Sequence, residues 1–155
     1  MDNIAKILTA YNCVNLDERI QFELDGVVEK EIKQVYCAEN LEFCLSCIDY
    51  TTLKLTDTEK SVKVFVTELL KKLKKFNLRE VAAVCVFPNF ARVVREALQG
   101  TGIQTAVVAG NFPSSQTFTE IKLAECKMAI SAGAQEVDVV ISVGDMLEKN
   151  YEKVF

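Results

Sequence analysis

The stretch Glu136-Val137-Asp138-Val139-Val140-Ile141-Ser142 decides how this chain is read. Apolar, β-branched residues flank Asp138, and a short run of that kind is the pattern of a strand covered on both faces. A carboxylate in its middle must be hydrogen-bonded, paired or functional, because burying an unpaired charge is costly. Two readings stand side by side. Either Asp138 pairs with a lysine or a backbone amide and orders the core, or it carries chemistry. Upstream, Gly133-Ala134 ends a helix, and downstream Ser142-Val143-Gly144-Asp145 reads as a loop. In α/β proteins, chemistry gathers where strands end and loops begin.

Working back from that strand, the same unit recurs. The helix before it begins at Thr117-Phe-Thr-Glu120, a capping-box pattern, and runs through Met128 and Ile130 to Gly133. Before it come a turn-rich loop, Gly110–Gln116, and a third strand, Thr105–Ala109. Phe90, Val93, Val94, Ala97 and Leu98 form a helical stripe stopped at Gly100, and Val81–Val86 is a buried, parallel type of strand. Val62, Phe65, Val66, Leu69, Leu70 and Leu73 form another stripe behind the capping box Thr56-Asp-Thr-Glu59. Lys71, Lys72, Lys74 and Lys75 crowd its last turns, where positive charge complements the helix dipole. The first strand is expected from Phe43 to Ile48, closed by Asp49-Tyr50-Thr51-Thr52-Leu53. Four strands alternate with three helices, and their ends near 49, 86, 109 and 141 suit right-handed βαβ units. Neither a dinucleotide fingerprint nor a P-loop is present.

Residues 1–40 differ. Ile4, Ile7, Leu8 and Tyr11, and again Val28, Ile32, Val35 and Tyr36, fall at helical spacing, with Asp25-Gly26 as a turn or helix start between them. This predicts two helices, an N-terminal helical cap over residues 1–40. After Asp145, Met146–Phe155 begins another helix. Val154-Phe155 is an apolar, uncapped ending, and the expectation is a chain cut within a fold.

The 155 residues suit one domain, and 50% hydrophobic with 26% charged is ordinary globular composition. The net charge of −4 exerts no general pull toward nucleic acid or anionic membrane. No apolar run reaches spanning length and no signal-peptide pattern opens the chain, so a cytoplasmic location is expected. Six cysteines in predicted helices and strands are expected as reduced thiols, with Cys44 and Cys47 buried structural residues in preference to a redox or zinc pair. The complete lack of histidine removes Ser-His triads, His-ligated metals and His general bases.

Read in series, the loops carry a resemblance. Ile48-Asp49-Tyr50-Thr51-Thr52-Leu53, Val84-Cys85-Val86-Phe87-Pro88, Asn111-Phe112-Pro113-Ser114-Ser115 and Gly133-Ala134-Gln135-Glu136-Val137-Asp138-Val139-Val140 follow the order seen in deoxyribose-phosphate aldolases. The chain from about residue 41 to 155 resembles the N-terminal half of that family. The resemblance implies an α/β fold of TIM-barrel type: about the first four βα units, with two extra N-terminal helices, an incomplete barrel. It implies a lyase of deoxyribonucleotide catabolism that cleaves 2-deoxy-D-ribose 5-phosphate to glyceraldehyde 3-phosphate and acetaldehyde. The chemistry of such a class I aldolase runs through a lysine Schiff base, with no cofactor or metal.

Residue by residue, Asp138 matches the strand-four acid that works with a lysine in proton transfer. Asp49 and Thr51 match strand-one positions near the sugar hydroxyls, and Cys85 matches a pocket-lining cysteine. The family's Schiff-base lysine, second lysine and phosphate site lie on later strands. The isolated chain is therefore expected to be inactive. Lys54 and Lys122, the lysines nearest the strand ends, sit at positions expected to be solvated. The expected partners are a small phosphosugar and a further copy of the chain, with no nucleic acid and no membrane. The alternative is a non-catalytic half-barrel that self-associates or binds a partner through open strand edges.

Overall fold

The computed structural model describes residues 16–29 and 37–154. The chain divides into two compact units, Glu42–Val143 and the segments flanking it. In the flanking segments, helix α1 spans Leu16–Glu29 and runs straight through Asp25-Gly26, which sequence reading took as a break. Gln21 donates to the Asp25 carboxylate at 2.8 Å, an i to i+4 bond that only a helix permits here. Ile4, Ile7, Leu8 and Tyr11, with Ile32, Val35 and Tyr36, lie outside the described residues.

Helix α2, Ala38–Ser46, corrects the expected first strand. Leu41 and Leu45 stand one turn apart, and Glu39 in the first turn favours the helix dipole. Strand β1 is only Asp49–Thr51. Cys44 and Cys47 are consequently exposed free thiols, not the buried ones expected, because α2 turns them outward.

Helix α3 spans Glu59–Phe76. Its N-cap is Thr58, two residues later than expected: Thr58 Oγ1 accepts from Ser61 N at 3.1 Å and Ser61 Oγ accepts from Thr58 N at 2.9 Å. Its C-terminus closes on Asn77 at φ 51°, with Leu78 N donating to Leu73 O at 2.9 Å. Strand β2, Ala83–Val86, is wholly buried. A 3-10 turn at Pro88–Phe90 leads into α4, Ala91–Ala97. Strand β3 is Gln104–Ala109, α5 is Thr119–Ser131, and β4 is Glu136–Val139. No side chain caps α5, so the capping box expected at Thr117–Glu120 does not form. Short helices α6, Val143–Leu147, and α7, Tyr151–Val154, follow.

The four strands pair in parallel in the order β1-β2-β3-β4. One face of the sheet packs on helices. Val84, Val86 and Val107 meet Val62, Val66, Leu69 and Leu73 of α3 and Val94 and Leu98 around α4. Each such fully buried aliphatic side chain contributes about 1.5–3 kcal/mol. Tyr50 of β1 stacks on Phe65 with ring centroids 4.3 Å apart. The strand that opened the sequence reading departs from expectation. β4 is an edge strand, and Glu136, Asp138 and Val139 are exposed, not covered on both faces.

Candidate active site

Strand alternation and register decide which side chains share the second face of the sheet. Thr51 lies level with Cys85, Cys85 with Ala106, and Val108 with Asp138. Asp49, Thr51, Ala83, Cys85, Gln104, Ala106, Val108, Glu136 and Asp138 therefore line one face. All four residues anticipated from sequence, Asp49, Thr51, Cys85 and Asp138, are on it. The register also adds Glu136, which sequence reading missed; its signal was the two-residue spacing from Asp138.

The floor of this face is small and buried: Ala83, Cys85, Ala106 and Val108 cluster there, with Leu53 and Phe87 against them. The flanks are acidic. Asp49 and Thr51 stand exposed on one side, Glu136 and Asp138 on the other. Asp138 sits two strand spacings across the sheet from Cys85 and two residues further along, roughly 12 Å away in backbone terms. Among the described residues the Asp138 carboxylate has no hydrogen-bond or ion-pair partner, so the structural-pairing reading finds no lysine or amide to support it.

Cys85 registers the charge on the face. Burial pushes its thiol above the ordinary 9.0, and the Asp138 and Asp49 carboxylates push it further, with a smaller contribution from Glu136. The Thr51 hydroxyl, in hydrogen-bonding reach, opposes them. The same burial and carboxylates disfavour the thiolate, the reactive form of a cysteine. None of the nine face positions is a cation. A groove of ≈ 410 Å³ between α3 and α4, lined by Lys60, Lys63 and Glu96 among others, lies on the helical side and holds none of these residues.

At the carboxyl ends of β3 and β4 the loops are stitched together. Gly110, at φ 75°, lets β3 pass so close to β4 that a Cβ there would lie 3.0 Å from Val139 Cγ1 and 3.2 Å from Val140 O. Val140 N donates to Ala109 O at 3.3 Å, and Ser115 Oγ donates to Val140 O at 3.1 Å. Glu125 of α5 accepts from Asn111 N at 2.9 Å. Lys122 is half-buried, not solvated as expected from sequence, because its ammonium donates to Ser115 Oγ at 2.6 Å and Ser142 Oγ at 2.9 Å. Lys54, by contrast, is exposed.

Comparison with known proteins bears on this arrangement. No protein-family model matches the chain. Over 107 residues, 69% of its length, it is 41% identical to the deoxyribose-phosphate aldolase of Clostridium tetani, and the match covers 46% of that protein. A solved structure from Coccidioides immitis, assigned as a deoxyribose-phosphate aldolase, superposes with a TM-score of 0.64 at 27% identity, covering 88% of this chain and 53% of that one. The tetrameric deoxyribose phosphate aldolase of Aeropyrum pernix superposes with a TM-score of 0.57 at 28% identity, covering 72% and 44%. The chain spans about half the length of the curated relatives it matches. Among the described residues, no helix is long and apolar enough to cross a membrane.

Proposed function

We propose, from this chain's kinship in sequence and fold with the deoxyribose-phosphate aldolases, that it forms the acid-bearing half of such an aldolase's barrel. The observation that carries the reading is the composition of the open sheet face. It presents Asp49, Glu136 and Asp138 over a floor of small side chains and offers no amine. A class I retro-aldol reaction needs both kinds of group. An amine adds to the substrate carbonyl and water leaves, giving the iminium that acts as electron sink. A base takes the proton from the C3 hydroxyl, the C2–C3 bond breaks, and its electron pair moves into the enamine. A proton is returned at C2 before water releases acetaldehyde.

In this reading Asp138 shuttles protons beside an amine that residues beyond these four βα units supply. Asp49 and Thr51 contact the sugar hydroxyls. Cys85, short and neutral, leaves room above the floor for the substrate. The substrate is 2-deoxy-D-ribose 5-phosphate, the products are glyceraldehyde 3-phosphate and acetaldehyde, and no metal or other cofactor takes part. The 155-residue chain by itself is inactive, and the working enzyme is a cytoplasmic homo-oligomer.

The test is borohydride trapping on this chain with 2-deoxyribose 5-phosphate, read by intact mass. The expected result is no adduct and no turnover. A stoichiometric adduct would place the Schiff-base amine inside residues 1–155 and defeat the division of labour.

A second reading, a non-catalytic half-barrel that self-associates, is favoured by one observation. β1 and β4 are the edges of the sheet, and beside β4 the apolar side chains Val139 and Ile141 are about half exposed. Parallel edge strands with apolar margins are templates for pairing. A compact monomer by sedimentation removes that reading.

A further inference from the structure

We propose that Lys122 is a positioning residue whose ammonium locks the segment after β4 to the loop after β3, fixing the strand end that carries Asp138. Its functional sense rests on the role proposed above for Asp138; its structural content does not. Lys122 stands in the first turn of α5, where a positive charge opposes the helix dipole. Propensity therefore does not explain it. Among the described residues its partners are the hydroxyls of Ser115 and Ser142, 27 positions apart in sequence, and no carboxylate. Ser115 Oγ in turn donates a hydrogen bond to Val140 O, two residues beyond Asp138. The ammonium thus ties both sides of the β4 terminus to α5. Among the described residues of this chain, β4 is paired on the β3 side alone.

The experiment is backbone hydrogen exchange, residue by residue, on the full 155-residue chain and on Lys122→Met, Lys122→Arg and Ser142→Ala. Two amides report. Val140 N, bonded to Ala109 O, lies at the tied end of β4, and Gln135 N, bonded to Thr105 O, lies at its other end. Lys122→Met is expected to lower protection at Val140 at least tenfold and leave Gln135 unchanged. Lys122→Arg, whose guanidinium also spans two hydroxyls, restores most of it. Ser142→Ala gives a smaller loss at the same amide and serves if the methionine variant does not fold. Equal loss at both amides would make Lys122 a contributor to general stability only, and unchanged protection at Val140 would leave it no positioning role; either overturns the proposal. No turnover is measured, so failure of the aldolase reading is seen separately, in the borohydride experiment.

Discussion

Gly110→Ala probes the closest approach in the candidate site. Gly110 holds φ 75°, and placing an L-residue in that left-handed region costs about 1–2 kcal/mol. The added methyl would also stand 3.0 Å from Val139 Cγ1, 3.2 Å from Val140 O and 3.4 Å from Val140 N. Val139 is 49% exposed and its side chain can turn away. The Val140 carbonyl cannot, because it is backbone and accepts the Ser115 hydroxyl at 3.1 Å. Moving it weakens that bond, worth about 0.5–1.5 kcal/mol. The substitution should therefore destabilise Glu42–Val143 by about 1.5–3.5 kcal/mol, the sum of strain and a weakened hydrogen bond. Urea unfolding followed by far-ultraviolet circular dichroism reads the change as a lower midpoint at unchanged slope. Gly110→Asn separates the two contributions, since Asn tolerates the left-handed region yet carries the same Cβ, and should lose about 1 kcal/mol less. A loss under about 0.5 kcal/mol for Gly110→Ala, the range of an uninvolved surface position, would refute the close approach of β3 and β4.

Other perturbations test other parts of the account. Asp138→Asn removes one of the charges that raise the Cys85 thiol, so that thiol should ionise at lower pH and be alkylated faster at a fixed pH near 8; an unchanged rate would separate the two residues. The Asp57 carboxyl is held below the ordinary 3.8 chiefly by the Thr52 hydroxyl at 2.7 Å; burial, the next largest effect, opposes this, and Lys54 N and the Ser61 hydroxyl lower it further by smaller amounts. A depressed carboxyl stabilises the fold above its unfolded pKa and stops doing so as pH falls through the folded one, so the stability advantage over Asp57→Asn should shrink as pH drops below 3.8, as read by urea midpoints. Leu98→Ala, at a side chain 1% exposed in the helix-facing core, should cost about 2–5 kcal/mol by the same unfolding assay, and Leu55→Ala, 98% exposed, almost nothing.

The parallel order of the sheet was legible because three of its four strands are short apolar runs set between helical stripes. Val84, Val86 and Val107 are buried where the pattern placed them. Asp49, Thr51, Cys85 and Asp138 are singled out by the resemblance of their loops to the aldolase family; that they share one face follows from the parallel register, which the structure supplies. The failures have physical causes. Phe43–Ile48 is as apolar as a strand, and a run that short does not distinguish strand from helix. Here the segment through Ser46 folds as a helix. The stretch around Asp138 reads as buried, but burial depends on what lies beside an edge strand, which no local pattern encodes. The capping boxes at Thr56 and Thr117 failed because the motif sets only a spacing, and Thr58 with Ser61 meets the geometry better. Lys122 stands out in sequence but its burial does not, because its two hydroxyl partners lie on either side of it, in separate loops.

One measurement bears most directly on the claim that this chain is the acid-bearing half of an aldolase barrel. The segment matching the Clostridium tetani enzyme would be fused to that enzyme's remaining C-terminal portion, and retro-aldol turnover of 2-deoxyribose 5-phosphate followed with and without Asp138→Asn. The account predicts turnover in the fusion and a loss of at least about 100-fold with Asp138→Asn, the scale of a lost proton-transfer group, while borohydride trapping on the other half's lysine persists. A folded fusion that turns over equally well after Asp138→Asn would contradict it.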